Sequence, residues 1–252
     1  MKDFKHQFFD QIFYHDRLDS TYNRAETMIK LREARGNFLI MANEQTNGRG
    51  RRDNFWLSPP GGIWMTAGLY GLPLENGLTI FTGMILNRVV GHLFPQLIPD
   101  LKLKWPNDLL IKNRKLAGIL TGYFSPEKYH LLGIGINSNL EIIPEQIASI
   151  ATSLKLETGL AIDDNIILKL FWDNFSADLP HFLEQGLSPE EFRSNSYLIN
   201  REIILQTQYD SFRGIARGIT KTGALLLELK KGMIQPFFSG QITLADNSGE
   251  QD

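Results

Sequence analysis

Between Leu101 and Ile136 the chain reads as strand after strand with only short connections, and this run constrains the fold more than any other feature. Leu101 to Trp105 alternates apolar and polar as a half-buried strand does. Leu109 to Lys112 and Lys115 to Phe124 read as paired strands around a tight turn at Asn113-Arg114. Tyr129 to Ile136 follows a turn at Ser125-Pro126-Glu127. With Phe38 to Ala42 and Ile63 to Tyr70 these segments supply a sheet that needs helices to cover it.

Helical periodicity supplies the cover. Leu78 to Phe94 places Ile80, Phe81, Met84, Ile85, Val89 and Leu93 on the helical repeat. Asp164 to Gly186 turns Ile166, Ile167, Leu170, Phe171 and Phe175 inward, with Pro180 predicted to kink or split it. Nearer the N-terminus, Asn23-Arg24-Ala25-Glu26 reads as a capping box, Ala25, Met28 and Ile29 as one face, and Gly36 as the stop. The texture changes near Asn195. Short strands at Glu202–Gln208, Phe212–Ile219, Ala224–Glu228, Met233–Phe237 and Gln241–Leu244 predict a small β-barrel, ending in a polar tail from Asp246. The division predicted is residues 1–195 and residues 196–252.

Composition removes several chemistries. The 252 residues contain no cysteine, so disulfides, thiolate nucleophiles and zinc–thiolate sites are excluded. None of the five histidines forms a ligand-spaced cluster. A net charge of −2 offers no global field for nucleic acid or an anionic membrane. No apolar run reaches the roughly 18 residues of a membrane span, and Met1 to Asp16 lacks the apolar core of a signal peptide. A cytoplasmic protein is expected.

Residues 43–62 read as a long polar loop, and loops of that length inside a compact domain are usually functional or disordered. Within it lies Gly48-Arg49-Gly50-Arg51-Arg52. Glycine permits close backbone approach, and arginine forks suit phosphate or carboxylate. Charge-assisted hydrogen bonds contribute about 1.5–3 kcal/mol each. Ordering the loop costs roughly 1–2 kcal/mol per residue, so it is expected to be mobile when empty and ordered over a nucleotide. The cluster also fits a solvated basic loop. It is neither a P-loop nor a dinucleotide fingerprint, because Asp53 stands where the third glycine belongs.

Three further stretches carry chemistry. In Lys104-Trp105-Pro106-Asn107-Asp108, Pro106 ends a strand and aims Asn107 and Asp108 out of its end. Asp108 could hold Mg²⁺ beside phosphates, or belong to a turn that satisfies its own backbone. Lys115, ahead of the small residues Ala117 and Gly118, could reach a ligand lying on the strand, or be a hairpin lysine in solvent. Gly133-Ile134-Gly135-Ile136-Asn137 repeats the theme of close approach, with Asn137 able to donate and accept; a bulged strand is the alternative.

Taken together, Asp19-Ser20-Thr21, Glu44 to Arg52, Trp56-Leu57-Ser58-Pro59, Lys104 to Asp108, Arg114 to Leu120 and Gly133 to Asn137 resemble the biotin–protein ligases in order and spacing, over nearly the whole chain. Gly223 to Glu228 looks like that family's small terminal domain. The resemblance implies an α+β fold, a mixed β-sheet flanked by helices related to class II aminoacyl-tRNA synthetase cores, plus a C-terminal SH3-like barrel. It implies ATP and biotin as substrates, Mg²⁺, a biotinyl-adenylate intermediate, and transfer to a lysine of a biotin carboxyl carrier protein domain.

It also implies residue roles. Ser20, Thr21 and Gln45 would contact biotin, with Gly48, Arg49, Lys115 and Gly118 completing its site. Arg49, Gly50, Arg51, Arg52, Trp56, Lys104, Asn107 and Asn137 would bind the nucleotide. Lys115, Arg51 and Asp108 would serve the reaction, Asp108 on the metal or the incoming lysine. The chain departs from the family at Asp53-Asn54, where Gly-Arg is common, which makes the loop less basic. The early start of the first match argues against a DNA-binding helix-turn-helix, so DNA is not an expected partner; a monomer or weak homodimer is. The competing readings are a lipoate or octanoyl transferase on the related fold, which Ser20-Thr21 with Gln45 suits less well, and a non-enzymatic binder.

Overall fold

The computed structural model describes residues 1–73 and 76–245; the polar tail from Asp246 lies outside the described residues. In chain order the elements are β1 (Gln11–Leu18), α1 (Thr21–Lys30), β2 (Phe38–Arg49), β3 (Phe55–Ser58), β4 (Ile63–Tyr70), α2 (Leu78–Leu93), β5 (Leu101–Lys104), β6 (Asp108–Ile111), β7 (Arg114–Phe124), β8 (Tyr129–Ile136), α3 (Leu154–Thr158), α4 (Asp164–Gln185) and α5 (Pro189–Asn195). The chain continues with β9 (Glu202–Gln206), β10 (Ser211–Ile219), β11 (Leu225–Glu228), β12 (Ile234–Phe237) and β13 (Gln241–Leu244).

The large sheet has the order β1-β2-β4-β8-β7-β6-β5, with β3 on the free length of β2. The β1–β2 pair is parallel and the others are antiparallel, so the sheet is mixed. From Phe38 to Ala42 strand β2 is buried on both faces, and its period of two divides it. Phe38 and Ile40 join Tyr22, Ala25, Met28 and Ile29 under α1, while Leu39 and Met41 join the core beneath α2 and α4. That second core contains Phe171, Trp172 and Phe175, all fully buried, each worth roughly 1.5–3 kcal/mol of transfer free energy.

The C-terminal strands form an antiparallel sheet of order β12-β11-β10-β9-β13. It is consistent with the expected small barrel, although among the described residues the ladder does not close between β12 and β13. Its Leu205, Leu225, Leu227 and Ile242 belong to the main core, and the buried Trp105 indole donates to the Gly223 carbonyl at 2.9 Å. The second sheet is therefore packed firmly beside the first.

Several local expectations are corrected. Helix α1 is capped by Ser20, whose hydroxyl accepts from the Asn23 amide, and not at Asn23; Asn23 is already in the first turn and donates to Asp19. The helix ends at Lys30, with Arg32 rather than Gly36 taking the first positive φ (57°). The tight turn is Lys112-Asn113, both at positive φ, so Arg114 already pairs with Ile111. Helix α4 runs unbroken through Pro180, and Ile166 is exposed while Leu168 and Trp172 are buried. Strand β1 was hidden in a segment without clean alternation; it is an edge strand, so most of its side chains are only half-buried. Residues 43–62 are largely a hairpin rather than an open loop: β2 continues to Arg49, turns through Arg51–Asp53, and returns as β3.

Candidate active site

Strands β7 and β8 pair so that Gly118 faces Gly135 and Leu120 faces Gly133. With a period of two, Gly118, Leu120 and Gly122 share one face. The glycines lower this part of the sheet, and two aromatic rings lie on it. A Cβ on Gly118 would meet Trp56 Cζ3 at 2.6 Å, and one on Gly135 would meet Trp56 Nε1 at 2.5 Å. A Cβ on Gly122 would meet the Tyr22 hydroxyl at 2.1 Å, and one on Gly133 would meet Tyr22 Cδ2 at 3.2 Å. Above this floor lies a cleft of about 300 Å³, bounded by the start of α1, the β2–β3 hairpin, the Lys104–Asp108 turn and Gly240, Gln241 and Ile242 of the C-terminal sheet.

One end of the cleft is polar and neutral. The Thr21 amide and hydroxyl both donate to Gln45 Oε1, at 2.8 and 3.0 Å. Gln45 Nε2 donates to Ser58 Oγ at 2.7 Å, and the Thr21 and Thr66 hydroxyls are 2.9 Å apart. This fixes the Gln45 amide and leaves one of its N–H bonds for a ligand. Ser20 is fully buried as the α1 cap. Ser58 was part of the Trp56–Pro59 match but was given no role, and Thr66 was missed; a lone threonine inside the apolar run of β4 is the signal that would have found it. Tyr22 was missed too. Burial, with Glu26 adding and Arg49 opposing, pushes its phenol up to about 12, so it stays neutral.

The other end is cationic. Lys115 Nζ lies 2.7 Å from Asp108 Oδ1 and 5.0 Å from the centre of the Trp56 ring. The Asp108 oxygen is buried and receives no aligned hydrogen bond, so charge rather than directed bonding holds this pair. Trp56 Nε1 is likewise buried without a partner. Arg51 donates to Asn107 Oδ1 at 3.1 Å, and Asn107 Nδ2 donates to the Ile119 carbonyl. Burial, then the neighbouring Arg52, lowers the Arg51 guanidinium, against the opposing pull of Asp108. Lys104 and Arg52 also line the cleft. Asp108 is the one carboxylate lining it among the described residues, which contain no cluster of three metal-ligating side chains.

Not every candidate sits in the cleft. Asn137 is a structural brace, its amide donating to the Lys115 and Thr152 carbonyls, and it does not line the cleft. Gly48 is also outside; it allows β3 to close on β2, since a Cβ there would meet the Trp56 carbonyl at 2.3 Å. Gly50 lines the cleft and donates to the Asn54 carbonyl in the hairpin turn. Arg49 lines the cleft but turns to α1, stacked 4.9 Å over Tyr22 and donating to Asn23 and Glu26. Arg52, at φ 54°, is exposed. Gly118 is in place, but Trp56 covers it.

A mixed sheet with a glycine-floored cleft, neutral and polar at one end and cationic at the other, suits an enzyme that joins an acid to a nucleotide. Residues 14–139 match the Biotin/lipoate A/B protein ligase family, and residues 198–244 match the biotin protein ligase C-terminal domain. The chain belongs to that family. It is 31% identical over 221 residues to the bifunctional ligase/repressor BirA of Escherichia coli, covering 85% of this chain and 68% of that protein. It is 30% identical to the biotin–[acetyl-CoA-carboxylase] ligase of Paracoccus denitrificans, covering 84% and 91%. The biotin protein ligase of Aquifex aeolicus, solved in complex with biotin and ATP, superposes with a TM-score of 0.79 at 27% identity, covering 94% of this chain and 99% of that one.

Proposed function

We propose that this chain is a biotin–protein ligase that forms biotinyl-5′-AMP from biotin and ATP and transfers biotin to a lysine of a carboxyl carrier protein domain. The observation that carries the reading is the polarity of the cleft. The Thr21–Gln45–Ser58 network faces one end and Lys115 with Arg51 faces the other, with glycines between. A neutral ureido ring needs fixed hydrogen-bonding groups, whereas the plain acyl chain of a lipoate or octanoate does not.

In the first step a biotin carboxylate oxygen bonds to the α-phosphorus and the bond to pyrophosphate breaks. Two anions must meet, and Lys115 and Arg51 offset their repulsion. In the second step the acceptor amine bonds to the acyl carbon, AMP leaves, and the amine gives up a proton. Lys115, paired with Asp108 in this structure, is free for the first step once the acid's carboxylate replaces Asp108 as its partner. Trp56 must leave the floor for the acid to lie on Gly118. Arg49 can join the nucleotide cheaply, because exposed pairs such as the one with Glu26 contribute only about 0–1 kcal/mol. Asp108 suits a Mg²⁺ carried largely by ATP phosphates, since that ion commonly takes one or two protein carboxylates. When bound, Mg²⁺ would neutralise part of the triphosphate charge.

The finer parts of the reading are a division at 195/196, supported by the second sheet that starts at Glu202, a monomer or weak homodimer in the cytoplasm, and no role for DNA, supported by the net charge of −2. No described helix is long and apolar enough to cross a membrane. ATP–pyrophosphate exchange with Mg²⁺ tests the function. Exchange that depends on biotin and not on lipoate or octanoate is expected; exchange driven by another acid, or by none, refutes it.

A further inference from the structure

Gly118, Gly133 and Gly135 line the cleft and Gly122 lies beside them under the Tyr22 hydroxyl, and these four glycines are shared between two rings that differ in how they are held. Trp56 rides on the β2–β3 hairpin and is partly exposed. Tyr22 sits on α1, is 7% exposed, and packs in the core between α1 and the sheet with Ala25, Met28 and Phe38. Its ring edge meets Gly133, its hydroxyl reaches over Gly122, and the Arg49 guanidinium covers its face. It directly follows Thr21 and lines the cleft beside the Gln45 network. Gly118 and Gly122 are four residues apart on β7, about 13 Å at the usual strand rise. The two rings thus cover opposite ends of the same floor, one on a hairpin and one built into the core.

We infer that Tyr22 is the end wall of the acid site, a specificity-determining residue whose ring limits how far the fused rings of the acid extend along β7 beyond Gly133. This rests on the functional reading above. The wall is set by the fit of Tyr22 over Gly122, which takes no side chain there without moving the phenol. Gly122 is not at positive φ, so alanine is tolerated by the backbone and acts only through contact with the hydroxyl. Removing that hydroxyl leaves the Tyr22 Cζ position 3.5 Å from the new methyl, an ordinary contact.

The test is biotin-dependent ATP–pyrophosphate exchange by the full chain, with thermal melting as the check on folding. Gly122→Ala should push the phenol into the cleft and raise KM for biotin about tenfold, the size expected of overpacking by one methyl, with a smaller change in kcat. The double variant Tyr22→Phe/Gly122→Ala should recover most of that loss. In a separate arm, Tyr22→Ala should raise kcat/KM for a biotin analogue enlarged on its ureido ring, relative to biotin, by about tenfold or more. An unchanged KM in Gly122→Ala, or a raised KM that Tyr22→Phe does not recover, overturns the wall. If Gly122→Ala does not fold, the ratio in Tyr22→Ala decides, and an unchanged ratio overturns it. Absence of biotin-dependent exchange in the unsubstituted chain would overturn the functional reading itself, and the wall with it.

Discussion

Replacing Lys115 by alanine is the most direct probe of the cationic end. The ammonium lies 2.7 Å from Asp108 and its side chain is 32% exposed. A unit charge about 4 Å from the charge that develops in the reaction is worth roughly 4 kcal/mol at an effective dielectric near 20. Solvent reaching a third of the side chain screens this, and a discount to about 2.5–3.5 kcal/mol is reasonable. The expected loss in adenylation is therefore about 70- to 400-fold, close to the effect of removing one preorganised group at a reacting centre. The substitution also strands Asp108, which is half-buried and whose buried Oδ1 has no aligned hydrogen bond, so some loss of melting temperature should accompany it. The assay is pyrophosphate exchange at saturating ATP and biotin, with biotin affinity measured separately by calorimetry. A loss below tenfold in a folded variant, or one accounted for wholly by weaker biotin binding, would remove Lys115 from the reaction.

Two other outcomes follow from the geometry. The Trp56 indole lies on the floor that the acid needs, while Trp64, Trp105 and Trp172 are buried in the core. Biotin should therefore change the intrinsic fluorescence of the chain, and Trp56→Phe should abolish most of the change; a signal that survives the substitution would show that the ring does not move. Burial raises the Glu157 carboxyl, but its bonds to Thr152 and Lys112 and the charge of Arg114 together hold it below its ordinary value. A depressed carboxylate adds stability that is present above the unfolded value, about 4.3, and is lost as pH falls through the lower folded value. Urea unfolding should show stability declining below about pH 5, with a shallower decline in Glu157→Gln; equal slopes would refute this assignment.

Much of the architecture was written locally. Strands β4 and β8 were legible to the residue because their apolar runs are bounded by turns, and α2 because its periodicity is unbroken. Strand β1 and the continuation of β2 were not legible. The first is an edge strand, and the second leaves the core to carry Gln45, Gly48 and Arg49 over the site, so neither keeps an apolar alternation. The Gly-Arg cluster, Lys115, Asp108 and the glycines of β7 and β8 pointed to an anion site only when read together, since each alone also fits a solvated loop, a turn or a bulged strand.

Which of those residues meet was decided only by the fold. The register of β7 on β8 places Gly118 opposite Gly135, and no local pattern contains that pairing. Asn137 and Lys115 are 22 positions apart, yet the fold turns the Asn137 amide into a brace for the Lys115 backbone rather than a ligand contact. Arg49 faces α1 because Glu26 and Tyr22 wait there, and Tyr22 entered the site with no motif to mark it. Side-chain chemistry is a property of each residue, whereas proximity is a property of strand register and helix docking, which are set by the burial of residues far from the site. The amino-acid sequence by itself therefore determined the kind of ligand; the tertiary structure decided the shape that is offered to it.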